Sequence, residues 1–213
     1  MLLAACGEAQ PEEQATAQAR LGAYPDGTET FIRIFKSESE LEVWVREPGA
    51  ATYALAKTFD ICSWSGDLGP KLREGDGQSP EGFYRVYEGS LNPNSQFHLS
   101  FNLGFPNAYD GAHGRTGSYL MVHGDCVSIG CYAMTDEGIE QIYRRVEKSL
   151  SDGQGFVPVH IFPFRMTTEN LAVYEEHQWY AFWQNLAEVD GAFRATNLPP
   201  KVSIAGKRYI LVE

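Results

Sequence analysis

Two side chains able to do acyl-transfer chemistry lie eight residues apart in the stretch from Tyr119 to Met134, YLMVHGDCVSIGCYAM: the imidazole of His123 and the thiol of Cys131. Each has a glycine beside it, Gly124 and Gly130. Eight residues is too far for one helix face. It suits a strand, a tight loop and a second segment returning alongside, which predicts the Cys131 sulfur within hydrogen-bond reach of His123. A free thiol, with a pKa of about 8.5, is mostly protonated at neutral pH, and a neighbouring imidazole can convert it to thiolate. The thiolate would attack a carbonyl and the imidazolium would protonate the leaving amine. Gly130 lets the backbone approach the reacting carbon, and the amides of Gly130, Cys131 and Tyr132 are candidates for holding an oxyanion. The competing reading makes His123 a strand cap and Cys131 a small buried hydrophobe. The glycines, Asp125, Ser128 and the second thiol, Cys126, crowd one segment and weigh against it, but the residues alone leave both readings open.

The flanking chain must supply the frame. Phe31–Lys36 and Leu41–Arg46 alternate as strands, and Tyr53–Ile61 is a third; short turns between them predict an antiparallel meander. Gly82–Glu88 and Phe97–Leu103 resume strand patterning, with His98 read as a solvent-facing strand residue. Ser65–Gly82 is dense in Gly, Pro and charge and reads either as a rim to the site or as surface padding, with Glu74, Asp76 and Glu81 either repelling the wrong peptides or only solvating the loop. Gly104–Gly117 feeds into the His123 strand, so Asn107 and Tyr109 are candidates to contact a peptide backbone; self-bonding within the loop is the alternative. Thr135 caps a clear helix to Leu150, four residues after Cys131, whose positive end would favour a thiolate if its axis points there. Val157–Phe162 is a strand placed at an edge by Pro158. Thr168 caps a helical region to about Val189 with Trp179, Phe182, Trp183 and Leu186 inward and His177 outward, and Val202–Val212 is a closing hairpin through Gly206. The expected class is β-rich α+β in one catalytic domain, residues 25–213, behind a leader and tether, residues 1–24.

With 213 residues the chain can bury one sizeable core. Its net charge of −11 argues against nucleic acid or anionic lipid surfaces as partners. Leu3-Ala4-Ala5-Cys6 looks like a lipobox on a shortened signal, making Cys6 a lipidation candidate and any membrane association one through lipid. Gly7–Ala23 reads as a tether, or as a short docked helix using Leu21 and Tyr24. Cys62 and Cys126 then remain, to be bridged in an oxidising compartment or left as thiols. No ligand spacing calls for a metal, and no cofactor is expected.

The segment HGDCVSIGCYAM resembles the active-site signature of the L,D-transpeptidase (YkuD-type) catalytic domain, a His-Gly followed by Ser-x-Gly-Cys. His123 and Gly124 match the first part; Ser128, Gly130 and Cys131 match the second. The short loop and Ala133, where many members carry Arg or Asn, fit the YafK-type subgroup, as do SGDLGPKLREGDGQSPEGFY, FNLGFPNAYD and FPFRMTTEN. The resemblance implies a β-sandwich with a few packed helices, Cys131 as nucleophile, His123 as base, Gly130 and Ser128 in the catalytic loop and Gly124 beside the substrate. With alanine at 133, Arg165 becomes the candidate to grip a stem-peptide carboxylate, a surface salt bridge being the alternative. The implied setting is the periplasm, with peptidoglycan stem peptides as substrate. The subgroup implies an amidase that releases a lipoprotein from diaminopimelate. Transpeptidation passes through the same thioester, and a catalytically silent envelope binding module is the reading from another class. A papain-like protease expects Cys before His and fits less well.

Overall fold

The computed structural model describes residues 21–212; the lipobox-like start with Cys6 and most of the expected tether lie outside them. The first three strands form the expected meander: β1 (Glu29–Phe35), β2 (Glu40–Arg46) and β3 (Ala54–Asp60), each antiparallel to the next. β4 (Gly82–Val86) and β9 (Val157–Phe162) complete a sheet in the order β3-β2-β1-β9-β4. A second sheet, β5-β6-β7-β8, comprises β5 (Leu91–Asn92), β6 (Ser100–Asn102), β7 (Met121–His123) and β8 (Tyr132–Ala133). The closing hairpin forms as β10 (Val202–Ala205) and β11 (Arg208–Leu211). The helices are α1 (Ala108–Ala112), α2 (Asp136–Ser151), α3 (Thr168–Ala172) and α4 (Tyr180–Thr196).

The fold is α+β, two mixed sheets with a few helices, and hydrophobic burial explains the layering. Ile32, Ile34 and Val43 of the first sheet, Phe101, Val122 and Tyr132 of the second, and Ile139, Ile142 and Val146 of α2 form one buried cluster. On the opposite face Phe35, Phe83 and Phe162 pack with Trp183 and Leu186 of α4 and Tyr209 of β11. β1, covered on both faces, is accordingly buried in both registers from Thr30 onward. Each such side chain contributes about 1.5–3 kcal/mol by leaving water.

Several expectations are corrected. β9 is interior, not an edge: its pairing with β1 begins at Val159, so Pro158 faces only β4, opposite Arg85, where its missing N–H is tolerated. The strand expected over Phe97–Leu103 is confined to Ser100–Asn102, because His98 adopts φ +64°; its imidazole is exposed and bonds Glu140 at 2.9 Å. The last helical region is two helices, with Thr167 capping the first and Trp179 preceding the second. His177 is half-buried, its ring stacked 4.5 Å from Trp183. Leu21 is 2% exposed in the main core within a short 3-10 turn, and Tyr24 packs against the same cluster, so the docked alternative and not the tether describes these residues.

Cys62 and Cys126 are disulfide-bonded across a sequence separation of 64, and Cys131 is a free thiol. The bridge ties the loop between β7 and β8 to the chain leaving β3, where Ser63 pairs with Ala133. Closing so long a loop removes up to about 4 kcal/mol worth of denatured-state entropy. Cys62→Ser should therefore lower the melting temperature markedly, and reductant should do the same to the wild type while leaving the variant unmoved.

Candidate active site

Gly124 begins the loop that separates the two chemical side chains, and it has no space for a side chain. A Cβ there would lie 2.5 Å from Asp136 Oδ1 and 3.1 Å from Ile139 Cγ2. The tight approach aligns its carbonyl with the imidazole: His123 Nδ1 donates to Gly124 O at 2.6 Å. That bond fixes the tautomer, leaving Nε2 as the unprotonated, basic nitrogen. The Gly124 amide is bound by Phe97 O at 3.1 Å, and the Phe97 ring lies 4.8 Å from the imidazole. Gly124 therefore orients the histidine and is buried, a correction to its expected place beside substrate.

The loop then runs through Asp125 (φ +68°) and the bridged Cys126 (φ +45°), two consecutive left-handed residues that reverse the chain. Asp125 N bonds Asp136 Oδ1 at 2.9 Å, so the first turn of α2 meets the histidine end of the loop. Beyond the turn, β8 returns parallel to β7, with Val122 opposite Tyr132 and His123 opposite Ala133. Cys131 thus comes beside Met121, and His123 is one diagonal away on the same face, since alternate residues of a strand share a side. Strand–loop–strand placement is as expected, but no hydrogen bond joins the pair. Met121 N donates to Cys131 Sγ at 3.4 Å, and the thiol points to Tyr119 O at 3.7 Å. Resting sites often carry such loose geometry before substrate draws the groups together.

The backbone at Cys131 is clamped from the Ser65–Gly82 loop. Ser79 Oγ donates to Cys131 O at 2.9 Å, Ser128 Oγ donates to the same carbonyl at 2.8 Å, and Gly130 N donates to Ser65 Oγ at 2.6 Å. Ser128 therefore holds the cysteine's backbone. The Gly130 amide, expected to face an oxyanion, is already taken, and the Tyr132 amide is used by the parallel ladder to β7, which leaves the Cys131 amide as the candidate. Gly130 itself sits at φ +109°, where a side chain would be strained. Ser65 and Ser79 escaped the sequence reading; their only signal was their place in a loop read as a rim.

Three expected substrate contacts have other duties. Asn107 caps α1 through Asp110 N at 2.9 Å and donates to Phe83 O and the Tyr209 hydroxyl, so its side chain serves the loop. Tyr109 is buried, stacked 4.2 Å from Tyr209 and 5.5 Å from Phe182. The Arg165 guanidinium is paired with Glu40 and with Glu42, and lies 4.4 Å over the Phe35 ring. Two carboxylates from β2 neutralise it, so the salt bridge replaces the expected grip on a stem peptide. The acidic loop residues are not merely solvating either: Glu81 is buried against Lys36, and Asp76 accepts from Lys71.

Electrostatically, the resting pair is neutral. Burial pushes the Cys131 thiol up, with the Met121 amide and the Lys71 charge acting the other way. Burial lowers His123, opposed by the Gly124 carbonyl and Asp125. A raised thiol and a lowered imidazole both favour the proton on sulfur before substrate arrives. Alkylation of Cys131 by iodoacetamide should still be climbing at about pH 9 with no plateau near pH 6. A flat rate from pH 6 upward would instead reveal a preformed ion pair.

Three apolar or aromatic side chains near the thiol in sequence are exposed. Tyr119 is 74% exposed, Val127 53% and Ile129 91%, all within the stretch that carries the thiol. A cavity of about 900 Å³ between β4 and the closing hairpin is lined by neither Cys131 nor His123. Among the described residues no cluster of His, Cys, Asp and Glu has metal-holding geometry, and no helix is long and apolar enough to cross a membrane.

Comparison with known proteins fits this geometry. The family model of the L,D-transpeptidase catalytic domain (YkuD) matches residues 29–161. The chain is 46% identical over 185 residues to "Putative L,D-transpeptidase YafK" of Escherichia coli (strain K12), covering 87% of this chain and 74% of that protein. The fold is similar to that of the helical cell shape determining protein Pgp2 of Campylobacter jejuni: TM-score 0.52 at 17% identity, covering 90% of this chain and 80% of that one. The K307A mutant of Pgp2 gives TM-score 0.52 at 20% identity over 84% of this chain, which spans 64% of the length of that one.

Proposed function

The chain belongs to the L,D-transpeptidase catalytic domain family, and from that premise we propose that it is a cell-envelope cysteine amidase acting at diaminopimelate of peptidoglycan stem peptides. Cys131 Sγ attacks the diaminopimelate carbonyl while its proton passes to His123 Nε2. The amide of Cys131 receives the oxyanion. The tetrahedral species collapses as the imidazolium protonates the leaving amine, giving a thioester and the released amine component. Water, deprotonated by the same imidazole, attacks the thioester and restores the thiol with a free carboxylate on the stem.

The observation that carries this reading is the Nδ1–Gly124 bond beside a clamped free thiol, a base and a nucleophile on one strand pair. The exposed Tyr119, Val127 and Ile129 support a protein-linked donor over a bare stem peptide, since exposed apolar side chains gain by being covered by a polypeptide. The bond cleaved is then the amide between diaminopimelate and an attached lipoprotein. On this reading the enzyme works in the periplasm, and Cys6 would hold it to a membrane by lipid.

Mass spectrometry of lipoprotein-bearing muropeptides, incubated with wild type and with Cys131→Ala, tests it. Loss of attached lipoprotein with the wild type alone supports the amidase. New 3-3 cross-links or newly attached amines would identify a transpeptidase, and unchanged muropeptides with both proteins would leave the silent binding module.

A further inference from the structure

Lys71 is a buried lysine at the edge of the site, and the surrounding chain is shaped to hold it there. Its Cε passes so close to Gly117 that a Cβ at that position would lie 2.7 Å from it and 2.9 Å from Phe105 Cε1. Gly117 is two residues before Tyr119, whose carbonyl faces the Cys131 sulfur at 3.7 Å. The two loops are joined at the same place: Thr116 N donates to Leu72 O at 3.1 Å, and Glu74 N donates to Thr116 Oγ1 at 3.2 Å.

The ammonium is fixed by Asp76. Asp76 is itself immobilised by the amides of Leu72 at 2.9 Å, Arg73 at 3.0 Å and Gln78 at 3.1 Å. Although burial opposes it, Lys71 and these amides hold the Asp76 carboxyl down at about 2, so it remains an anion throughout the working pH range. A lysine bound this way cannot swing out to solvent. One hydrogen bond to Asp76 is made by a group with three donors.

We infer that Lys71 is a positioning residue of the active centre: held by Asp76 and threaded past Gly117, its fixed positive charge provides the field in which the Cys131 sulfur becomes an anion as substrate is attacked. This rests on the proposed thioester chemistry and adds a residue to it. The other charged or titratable groups around the sulfur do not substitute. His123 on β7 is the proton acceptor and buried. Asp125 acts on His123. Glu74 lies outside, with Ser118 Oγ 3.4 Å from its carboxylate. Glu81, behind β8, is committed to Lys36. Arg165 is committed to β2. Lys71 is the buried cation on the loop joined to the Gly117–Tyr119 segment against which the sulfur lies.

The test is the pH profile of iodoacetamide alkylation at Cys131, read on its own peptide by mass spectrometry so that Cys6 does not interfere. Lys71→Met should raise the midpoint by about one pH unit, a roughly tenfold slower reaction at neutral pH, while Lys71→Arg stays near wild type. Asp76→Asn leaves the lysine charge uncompensated and should lower the midpoint. A role confined to loop packing would move both substitutions the same way or not at all, and either result overturns the inference. If Lys71→Met does not fold, Asp76→Asn decides alone, since an unchanged or raised midpoint is equally fatal. Alkylation reads the sulfur whatever the substrate is, so failure here is distinct from failure of the muropeptide assay.

Discussion

Replacing His123 by glutamine should lower kcat/KM for release of the amine component by about three orders of magnitude, the range lost when a positioned general acid–base is removed. Glutamine retains an amide donor for the Gly124 carbonyl and approximates the size of the buried ring, so the loop keeps its form. It cannot accept the thiol proton. With the Cys131 thiol raised by burial, sulfur in the variant has no internal route to its anion. Residual activity should rise with pH as hydroxide takes over, whereas the wild type should hold its rate to below the ordinary imidazole range, because burial lowers His123 and the base form persists in acid. Cys131→Ala should remove turnover entirely, since no acyl-enzyme can form. Stopped-flow or endpoint mass spectrometry on a defined stem-peptide amide would separate these outcomes. A glutamine variant within tenfold of wild type, with unchanged melting, would exclude His123 as the base.

The pair itself was legible because its signal is local. A histidine, a cysteine and two glycines within one short loop dictate strand, reversal and return, and the structure builds that unit as β7, the turn and β8. The meander of β1, β2 and β3 was equally plain, since alternation and turn residues act over a few positions. What the sequence concealed was long-range. Lys36 lies 45 residues before Glu81, and neither residue's neighbours announce that both are buried. Arg165 meets β2 carboxylates across 123 and 125 residues, so a free guanidinium and a neutralised one look alike in sequence. Pro158 marks an edge only if nothing is known of register; here the β1 ladder starts one residue later. Asn107 and Tyr109 occupy a loop suited to substrate contact, yet an asparagine two residues ahead of a buried tyrosine serves a cap and a stack equally well. The disulfide was open to either answer, because 64 residues of chain carry no statement of proximity.

The largest effect on stability should come from Lys36→Met. The Lys36 ammonium is fully buried and shares its three N–H donors among four acceptors, the carbonyls of Asp67 at 2.8 Å, Gly69 at 3.1 Å and Ser79 at 3.1 Å and Glu81 Oε1 at 3.1 Å. Methionine fills similar volume and satisfies none of them. Glu81, also fully buried, would keep the Gly69 amide at 2.6 Å and the Trp183 indole N–H at 2.8 Å but lose its counter-charge. Breaking one side of a buried pair costs about 3–5 kcal/mol because the remaining ion is uncompensated. Urea unfolding should show that loss, and Lys36→Met/Glu81→Gln should recover part of it, since glutamine supplies an acceptor without the orphan charge. Equal losses in the single and double variants would move the cause from charge to the three carbonyls. The effect should extend to chemistry. The same loop carries Ser65 and Ser79, which hold the Gly130 amide and the Cys131 carbonyl. Loosening it well below the melting temperature should therefore slow turnover more than it weakens substrate binding, because the sulfur would lose its fixed approach to the carbonyl while the exposed Tyr119 and Ile129 stay in place.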